Sequence, residues 1–450
     1  MEKDSAAYRP LLSAWFAVDY HLGGANAFAF QLENFVWFTA ELLALFLLLR
    51  LIPGVNNAGA GFAVMVFGLH PVNAATVNYA LRRGVIMGAF GVTAGMLIWL
   101  IWPRRLPPAI PLRLKRIPQD AFDEYLRKNF KRLDTLYRKV IHAPAGLYLW
   151  PVIPALLCDP SAAVFAPVLV AWILLFEEDR RPGRAIPAAV VCGGYWIFQA
   201  VLTRTLGEFS DTPAASYRFT QPWVALRDLY RFFVPLHLSA ESDFRAFAHF
   251  WDPLAIAGYL GVACLAALAV FLGRRRQWKA VSFGIFWFLI ALVPDAITAH
   301  RAVEADWRMF LPFAGLAIGV AGLASNAVRL LTRQGQPAED GVALHLPLSI
   351  AGGCVALALL ALLGWGTFGR NAAWETESTL WRAAIASSPR SGRALMRYGL
   401  TELASPDPLP GLNHLREAAQ VSPRDPVVGT SLARAYERLG TPAEAESQYR

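Results

Sequence analysis

Charged residues are scarce in this chain. Asp, Glu, Lys and Arg make up 17% of its 450 residues, whereas hydrophobic residues make up 56%. A soluble protein carries about 25% charged residues, so the composition excludes a chain that is water-soluble throughout. The formal net charge of +9 is also uneven, because the basic residues gather in short clusters.

Cysteine is rare too, and no histidines, cysteines or carboxylates stand at the spacings typical of metal ligands. The four cysteines, Cys158, Cys192, Cys264 and Cys354, lie within or at the edge of apolar segments. Cysteines in such places usually pack as small buried hydrophobic side chains. The sequence therefore predicts no metal site and leaves the cofactor unknown.

Long apolar runs are abundant, and each run of about 18 or more residues predicts a membrane span. We predict seven full spans, at residues 28–52, 84–102, 186–206, 253–272, 280–298, 310–331 and 346–366. Three shorter apolar segments, 58–69, 146–157 and 161–176, suit tilted, broken or re-entrant helices inside a bundle. The predicted fold class is all-α: a polytopic membrane helix bundle of about ten hydrophobic elements.

Four basic clusters each adjoin an apolar segment, at 104–139, 180–184, 274–279 and 329–333. A nucleic-acid surface is one interpretation, but this placement favours the positive-inside rule. The predicted membrane segments can be arranged so that all four clusters lie in the cytoplasm. In this arrangement everything after residue 366 is external. We therefore predict a multi-pass plasma (inner) membrane protein that contacts the lipid bilayer and no nucleic acid.

The predicted topology places residues 1–27 outside, although they contain no basic stretch followed by an apolar core. We therefore expect that a first membrane helix precedes them. The cytoplasmic loop 104–140 favours a basic amphipathic helix over 120–140, lying on the anionic inner leaflet, with a solvated connector as the alternative.

The C-terminal part has the 34-residue period of tetratricopeptide repeats, which separates Pro389 from Pro423. The small residues expected in one repeat are Gly399 and Ala418. The matching positions in the next repeat are Leu432, Ala433, Tyr436, Gly440, Ala445 and Tyr449. We predict a membrane domain over 1–369 and, over 370–450, an incomplete external tetratricopeptide-repeat α-solenoid that binds protein segments, with a capping helix at 381–385.

A polar break separates two apolar segments at residues 70–83, which contain His70, Pro71, Asn73, Asn78 and Arg83. Polar side chains at the mouth of membrane helices are costly in lipid, so they must face water, a cavity or a ligand. His70 could serve a ligand or could simply cap a helix that is broken at Pro71.

Several segments, in order along nearly the whole chain, resemble the membrane tetratricopeptide-repeat glycosyltransferases. This group is similar to the TMTC-type protein O-mannosyltransferases and their bacterial relatives. The matching segments are Tyr8-Arg9-Pro10-Leu11, Asp19-Tyr20, Gly23-Gly24, Phe30 with Asn34, the 70–83 stretch, Thr220-Gln221 with Tyr230, Pro235 and Leu238, Phe286-Trp287-Phe288 with Pro294, residues 306–312, and Arg370-Asn371 with Trp374.

The resemblance implies a GT-C-like fold with an active site on the external face. The donor would be a polyprenyl-phosphate sugar, and the acceptor a Ser or Thr hydroxyl of a secreted or surface protein. Arginines suit a lipid phosphate, and a carboxylate would take the acceptor proton. The candidate catalytic residues are Asp306 and Asp159. The candidate residues for donor-phosphate or substrate binding are Tyr8, Arg9, His70, Asn73, Arg83 and Arg308.

The chain departs from the family pattern at polar positions. Ala75 stands where an acid is expected, and Gln31 and Phe38 stand where histidines are expected. A Lys-Glu pair is replaced by Cys158-Asp159, and a Glu-His-Arg triplet by Asp306-Trp307-Arg308. Asp306 and Arg308 could also merely pair with each other at a helix start.

Three functions remain open from the sequence. The first is a divergent glycosyltransferase of this kind. The second is a catalytically degenerate, membrane-anchored repeat protein that acts as a protein-interaction scaffold. The third is a transporter of lipid-linked sugar, which broken helices and intramembrane polar groups would also suit.

Overall fold

The computed structural model describes residues 8–24, 26–101, 146–178, 180–206, 212–236, 238–300, 302–333, 345–423 and 425–449. Over these ranges the chain forms helices joined by turns, with no β-strand. The predicted amphipathic helix at 120–140, and the whole loop 104–140, lie outside the described residues.

The helices follow one another in a bundle and then in a separate C-terminal group. The first eight are α1 (Pro10–Gly23), α2 (Ala27–Leu51), α3 (Asn57–Gly68), α4 (Asn73–Asn78), α5 (Arg83–Ile101), α6 (Val152–Cys158), α7 (Phe165–Phe176) and α8 (Ile186–Leu206). The next five are α9 (Ala214–Phe233), α10 (Pro253–Gly273), α11 (Lys279–Ile297), α12 (Phe310–Arg333) and α13 (His345–Ala373). The last are α14 (Glu377–Ser387), α15 (Gly392–Glu402), α16 (Leu409–Val421), α17 (Pro426–Arg438) and α18 (Pro442–Tyr449).

The seven predicted spans are confirmed as helices long and apolar enough to cross a membrane. They correspond to α2, α5, α8, α10, α11, α12 and α13. The three shorter apolar segments are also helical and lie at 57–68, 147–158 and 160–176. Cys158 and Cys192 are buried as expected, whereas Cys264 and Cys354 lie exposed on the outer faces of α10 and α13. The chain is therefore an all-helical, multi-pass membrane protein.

Close contact between α11 and α12 depends on small residues. A Cβ atom on Gly284 would lie 2.5 Å from the Gly319 nitrogen and 2.6 Å from the Gly315 oxygen. One turn further along α11, the indole of Trp287 is fully buried and donates a hydrogen bond to the Leu311 carbonyl at 3.2 Å. Glycine thus lets the two backbones approach so that large aromatic side chains fill the space beside them.

The segment between α8 and α10 contains the amphipathic helix α9. Its buried residues include Asp228 and Arg231 as well as Val224 and Phe232. Its length and composition do not make it a candidate span. Charged residues on its buried face therefore pack against other parts of the protein, where they form the site described below.

The C-terminal helices form two hairpins, α15 with α16 and α17 with α18, whose first helices begin 34 residues apart, at Gly392 and Pro426. Gly399 and Gly411 allow the first hairpin to close, because a Cβ on either residue would lie within 2.7 Å of the other's carbonyl oxygen. The predicted helix at 381–385 is part of α14, which precedes the hairpins.

We expect Gly284→Val to destabilise the bundle by about 1–3 kcal/mol, because its side chain would collide with the α12 backbone. The matched control is Gly353→Val in α13, where an added Cβ meets nothing within 4 Å. Thermal unfolding in detergent, followed by size-exclusion chromatography, measures both. Equal melting temperatures for the two variants would contradict the close α11–α12 contact.

Candidate functional site

The polar break at residues 70–83 is a turn of packed polar side chains. His70 is fully buried and stacks on Phe232, and its Nε2 bonds the Phe232 carbonyl at 3.1 Å. Its Nδ1 accepts from the Val72 N–H at 3.3 Å, so Nε2 carries the proton. Burial lowers the pKa of His70 to about 4. Asn73 donates to the Phe67 carbonyl at 2.6 Å. His70 thus attaches the break to the end of α9, and Asn73 attaches it to the end of α3.

Arg83 is fully buried between α1, α2 and α5. Its guanidinium forms ion pairs with Asp19 and, at 2.7 Å, with Glu33. It also donates to Asn34 at 2.8 Å and to the Phe30 carbonyl at 3.1 Å. Its guanidinium N–H groups are therefore bonded to protein partners. Arg83 joins three helices and does not line the cavity described below.

Tyr8, Arg9 and Asp159 meet in another part of the bundle. Arg9 forms an ion pair with Asp159 at 3.3 Å, and Asp159 accepts from the Ser161 N–H at 2.9 Å at the start of a 3₁₀ turn. The Tyr8 backbone N–H donates to the Gln199 side chain at 3.0 Å. These contacts tie the N-terminal segment to α8 and to the turn after α6.

A cavity of about 410 Å³ lies where the ends of several bundle helices meet the C-terminal helices. Its wall combines α4 and the turn before α5, the segment after α9, the loop before α12, the junction after α13, and the helices α14 and α15. The lining residues include Ala75, Tyr79, Arg82, Glu241, Ser242, His300, Glu304, Asp306, Trp307, Arg308, Trp374, Trp381, Arg393 and Arg397.

Asp306 and Arg308 are the two predicted site residues that line this cavity. They do not pair with each other as the alternative from the sequence supposed. Asp306 is 4% exposed, and its Oδ2 lies 3.5 Å from Arg370 on α13. Arg308 donates to the Tyr217 hydroxyl at 3.1 Å and to the Ala302 carbonyl at 2.9 Å. The other six, Tyr8, Arg9, His70, Asn73, Arg83 and Asp159, are not among the lining residues.

Glu304, which the sequence analysis missed, holds the loop before α12 in place. Its carboxylate is 2% exposed and forms ion pairs with Arg227 at 3.1 Å and with Arg231 at 2.8 Å. It also accepts from the Ser242 hydroxyl at 2.7 Å. The sequence contained one sign of a buried acidic partner. Arg227 and Arg231 lie one helical turn apart on an amphipathic helix.

Aromatic rings and arginines alternate along one wall. The Arg82 guanidinium lies 3.8 Å from the centroid of the Trp307 ring and 5.8 Å from that of Tyr79. The Tyr79 ring in turn lies 6.1 Å from Trp374. Cations over aromatic faces are attracted by the ring quadrupole. Arg82, and not its neighbour Arg83, is therefore the arginine of this pair that reaches the cavity.

Burial shifts two titratable groups around the cavity. Burial lowers the pKa of His300 and the positive charge of Arg308 lowers it further, whereas the hydrogen bond with the Asp295 carboxylate, at 3.0 Å, opposes this. Burial raises the pKa of Asp228 to about 7, while Arg231, at 3.6 Å, opposes this. Desolvation disfavours the charged form in both cases. In the parts of the chain that the structure describes, no three His, Cys, Asp or Glu residues could hold a metal ion.

Comparison with known proteins adds no assignment. No family model, no curated protein and no solved structure matches the chain.

We expect Asp228→Asn to reduce the pH dependence of stability. The folded state holds the Asp228 proton up to about pH 7, whereas the unfolded chain releases it near pH 4. The stability that this proton contributes is therefore complete below about pH 4 and falls as the pH rises towards 7.

Melting temperatures in detergent at about pH 5 and about pH 8 measure this effect. The wild type should lose more stability between these values than Asp228→Asn. Glu417→Gln on the exposed face of α16 is the control and should match the wild type. An unchanged pH dependence in Asp228→Asn would contradict the assignment.

Proposed function

We propose that the chain transfers a sugar from a polyprenyl-phosphate donor to a Ser or Thr hydroxyl, with the cavity as its active site. One observation carries the proposal. A carboxylate (Asp306), two arginines (Arg82 and Arg308) and several aromatic rings line one cavity at the end of the membrane helices. A lipid-linked anionic donor needs these groups at such a place.

The architecture supports a GT-C-like assignment for the bundle and a tetratricopeptide assignment for the C-terminal part. In the bundle, short apolar helices lie among the long spans, and the polar groups gather at helix ends. In the C-terminal part, two helical hairpins start 34 residues apart, and glycines stand where the first hairpin's helices approach most closely.

Arg82 and Arg308 would hold the donor phosphate. Both line the cavity, and guanidinium groups bind phosphate oxygens through several directed hydrogen bonds. We assign this role to Arg82 rather than to Arg83, because Arg82 lines the cavity whereas Arg83 is buried beside Asp19 and Glu33.

Asp306 would act as the general base. In the proposed step the acceptor oxygen attacks the anomeric carbon of the donor sugar and loses its proton to Asp306. The bond between that carbon and the phosphate oxygen breaks, and polyprenyl phosphate leaves with the electron pair. Arg370, which faces Asp306, would hold the carboxylate in position.

A non-catalytic scaffold is the second candidate, and one observation favours it. Glu241, Glu304 and Asp306 line the cavity, and each lies within 4 Å of an arginine side chain. A carboxylate that lies against an arginine is already engaged in an ion pair, which is the arrangement expected of a structural group. The scaffold would bind a protein through residues after 390 and transfer nothing.

We expect Asp306→Asn to lower the transfer rate by about 100-fold or more, since it removes the proposed base. The assay uses the full chain in liposomes, radiolabelled mannosyl- or glucosyl-phosphoryl polyprenol, and a Ser/Thr-containing peptide. Asp228→Asn is the matched control. Like Asp306, Asp228 is a buried carboxylate close to an arginine, here Arg231, but it does not line the cavity. It should retain activity.

Arg82→Gln in the same assay should raise the donor KM more than it lowers kcat, because a phosphate contact is lost. Arg83→Gln should mainly lower the melting temperature. No transfer from any labelled donor by the wild type, together with capture of a protein through the repeats, would favour the scaffold.

The positive-inside pattern supports an external position for the cavity and the C-terminal helices. In a chain whose native cysteines are replaced, Glu417→Cys should react with an impermeant thiol reagent in intact cells. Arg276→Cys, in the turn between α10 and α11, should react only after lysis. The reverse pattern would overturn the proposed orientation.

A further inference from the structure

Among the residues that the structure describes, several that line the cavity have a buried polar atom without a hydrogen-bond partner. Three such atoms are the Trp374 indole nitrogen, the Arg308 Nε and the Asp306 Oδ2. A buried donor or acceptor that is left unsatisfied is energetically costly, so such groups usually have a hydrogen-bond partner. Two of these atoms are donors and one is an acceptor, and hydroxyl groups can satisfy both kinds.

Trp374 stands beside the proposed reaction centre. It follows the end of α13, and its backbone N–H bonds the Asn371 carbonyl at 2.9 Å. Arg370 is one helical turn earlier, and its guanidinium lies 3.5 Å from the Asp306 carboxylate. The end of α13 thus brings the Trp374 indole to the cavity and Arg370 to Asp306, which lines it.

The other tryptophans of the cavity have different surroundings. The Trp307 ring is covered by the Arg82 guanidinium at 3.8 Å. The Trp381 N–H donates to the Glu377 carboxylate at 3.4 Å. Among the described residues, the Trp374 ring lies beside Tyr79, at 6.1 Å, and its N–H has no hydrogen-bond partner. Among these three, Trp374 therefore combines an unpartnered donor with a ring that no cation covers.

A sugar ring fits this combination. Its hydroxyl oxygens accept hydrogen bonds, and its C–H faces pack on aromatic rings. The cavity, at about 410 Å³, lies within the range of small-molecule sites, which is about 300–1,000 Å³.

We propose that Trp374 is a specificity-determining residue that binds the donor sugar. Its indole N–H donates to a ring hydroxyl, while Asp306 Oδ2 remains for the acceptor hydroxyl. This assignment rests on the proposed function. It places recognition of the donor sugar at the junction after α13.

The test is saturation-transfer NMR on the full chain in lipid nanodiscs. The probes are the methyl glycosides of mannose, glucose, galactose and N-acetylglucosamine. We expect at least one glycoside to bind the wild type. Trp374→Phe keeps the aromatic ring but removes the N–H, so its affinity should fall by about fivefold to tenfold, as expected for one hydrogen bond.

Trp381→Phe is the matched control, because Trp381 also lines the cavity but its N–H already has a partner. It should bind the glycoside like the wild type. Trp374→His restores a ring N–H and should bind more tightly than Trp374→Phe. Equal binding by the wild type and Trp374→Phe would overturn the assignment, as would the absence of glycoside binding by the wild type.

A second arm separates this assignment from the proposed function. Polyprenyl phosphate without a sugar should bind the wild type and Trp374→Phe equally. If it binds but no glycoside does, the sugar site is wrong and the lipid-phosphate role stands. If a glycoside binds in a Trp374-dependent way but no polyprenyl phosphate does, the proposed donor is wrong and the sugar site stands.

Discussion

The buried carboxylate of Glu304 holds together the wall of the cavity. It lies within hydrogen-bonding distance of Arg227 and Arg231 on α9 and of Ser242 in the segment that follows α9. One side chain thus fixes a surface helix, the segment after it and the loop that carries Asp306 and Arg308. A buried charge must be matched by opposite charge and hydrogen bonds, so none of these three parts can move away without leaving a charge exposed to an apolar environment.

A second ion pair attaches the last span to this wall. Arg370 on α13 faces Asp306, and α13 is otherwise held at the same end by close contact of Gly366 with Pro71 and by the Thr367 hydroxyl, which donates to the Leu69 carbonyl at 2.6 Å. The polar break at His70 and Pro71 therefore supports α13, and α13 supports the carboxylate. Within the 70–83 stretch, Ala75, Tyr79 and Arg82 line the cavity directly. The other residues of the stretch pack behind the cavity wall.

The sequence predicted the helices far better than the cavity. Hydropathy is a property of each segment alone, and so all seven spans could be read from it with bounds that differ by a few residues at most ends. The cavity depends on which side chains meet. Arg82 and Arg83 are neighbours that point about 100° apart on a helix. No single sequence reveals that one is bound between Asp19 and Glu33 and that the other covers Trp307. Glu304 was missed for the same reason, because its partners are more than 60 residues away in the chain.

The same segment that Glu304 holds also contacts the C-terminal helices. Ser242 bonds Glu304, while on either side of it Glu241 lies 3.9 Å from Arg393 and Asp243 accepts from the Arg390 backbone N–H at 3.1 Å. Residues 241–243 are thus bonded to the bundle on one side and to the start of α15 on the other. Glu241 and Ser242 also line the cavity. This short segment therefore belongs both to the cavity wall and to the contact with the C-terminal hairpins, whichever of the two proposed functions the cavity serves.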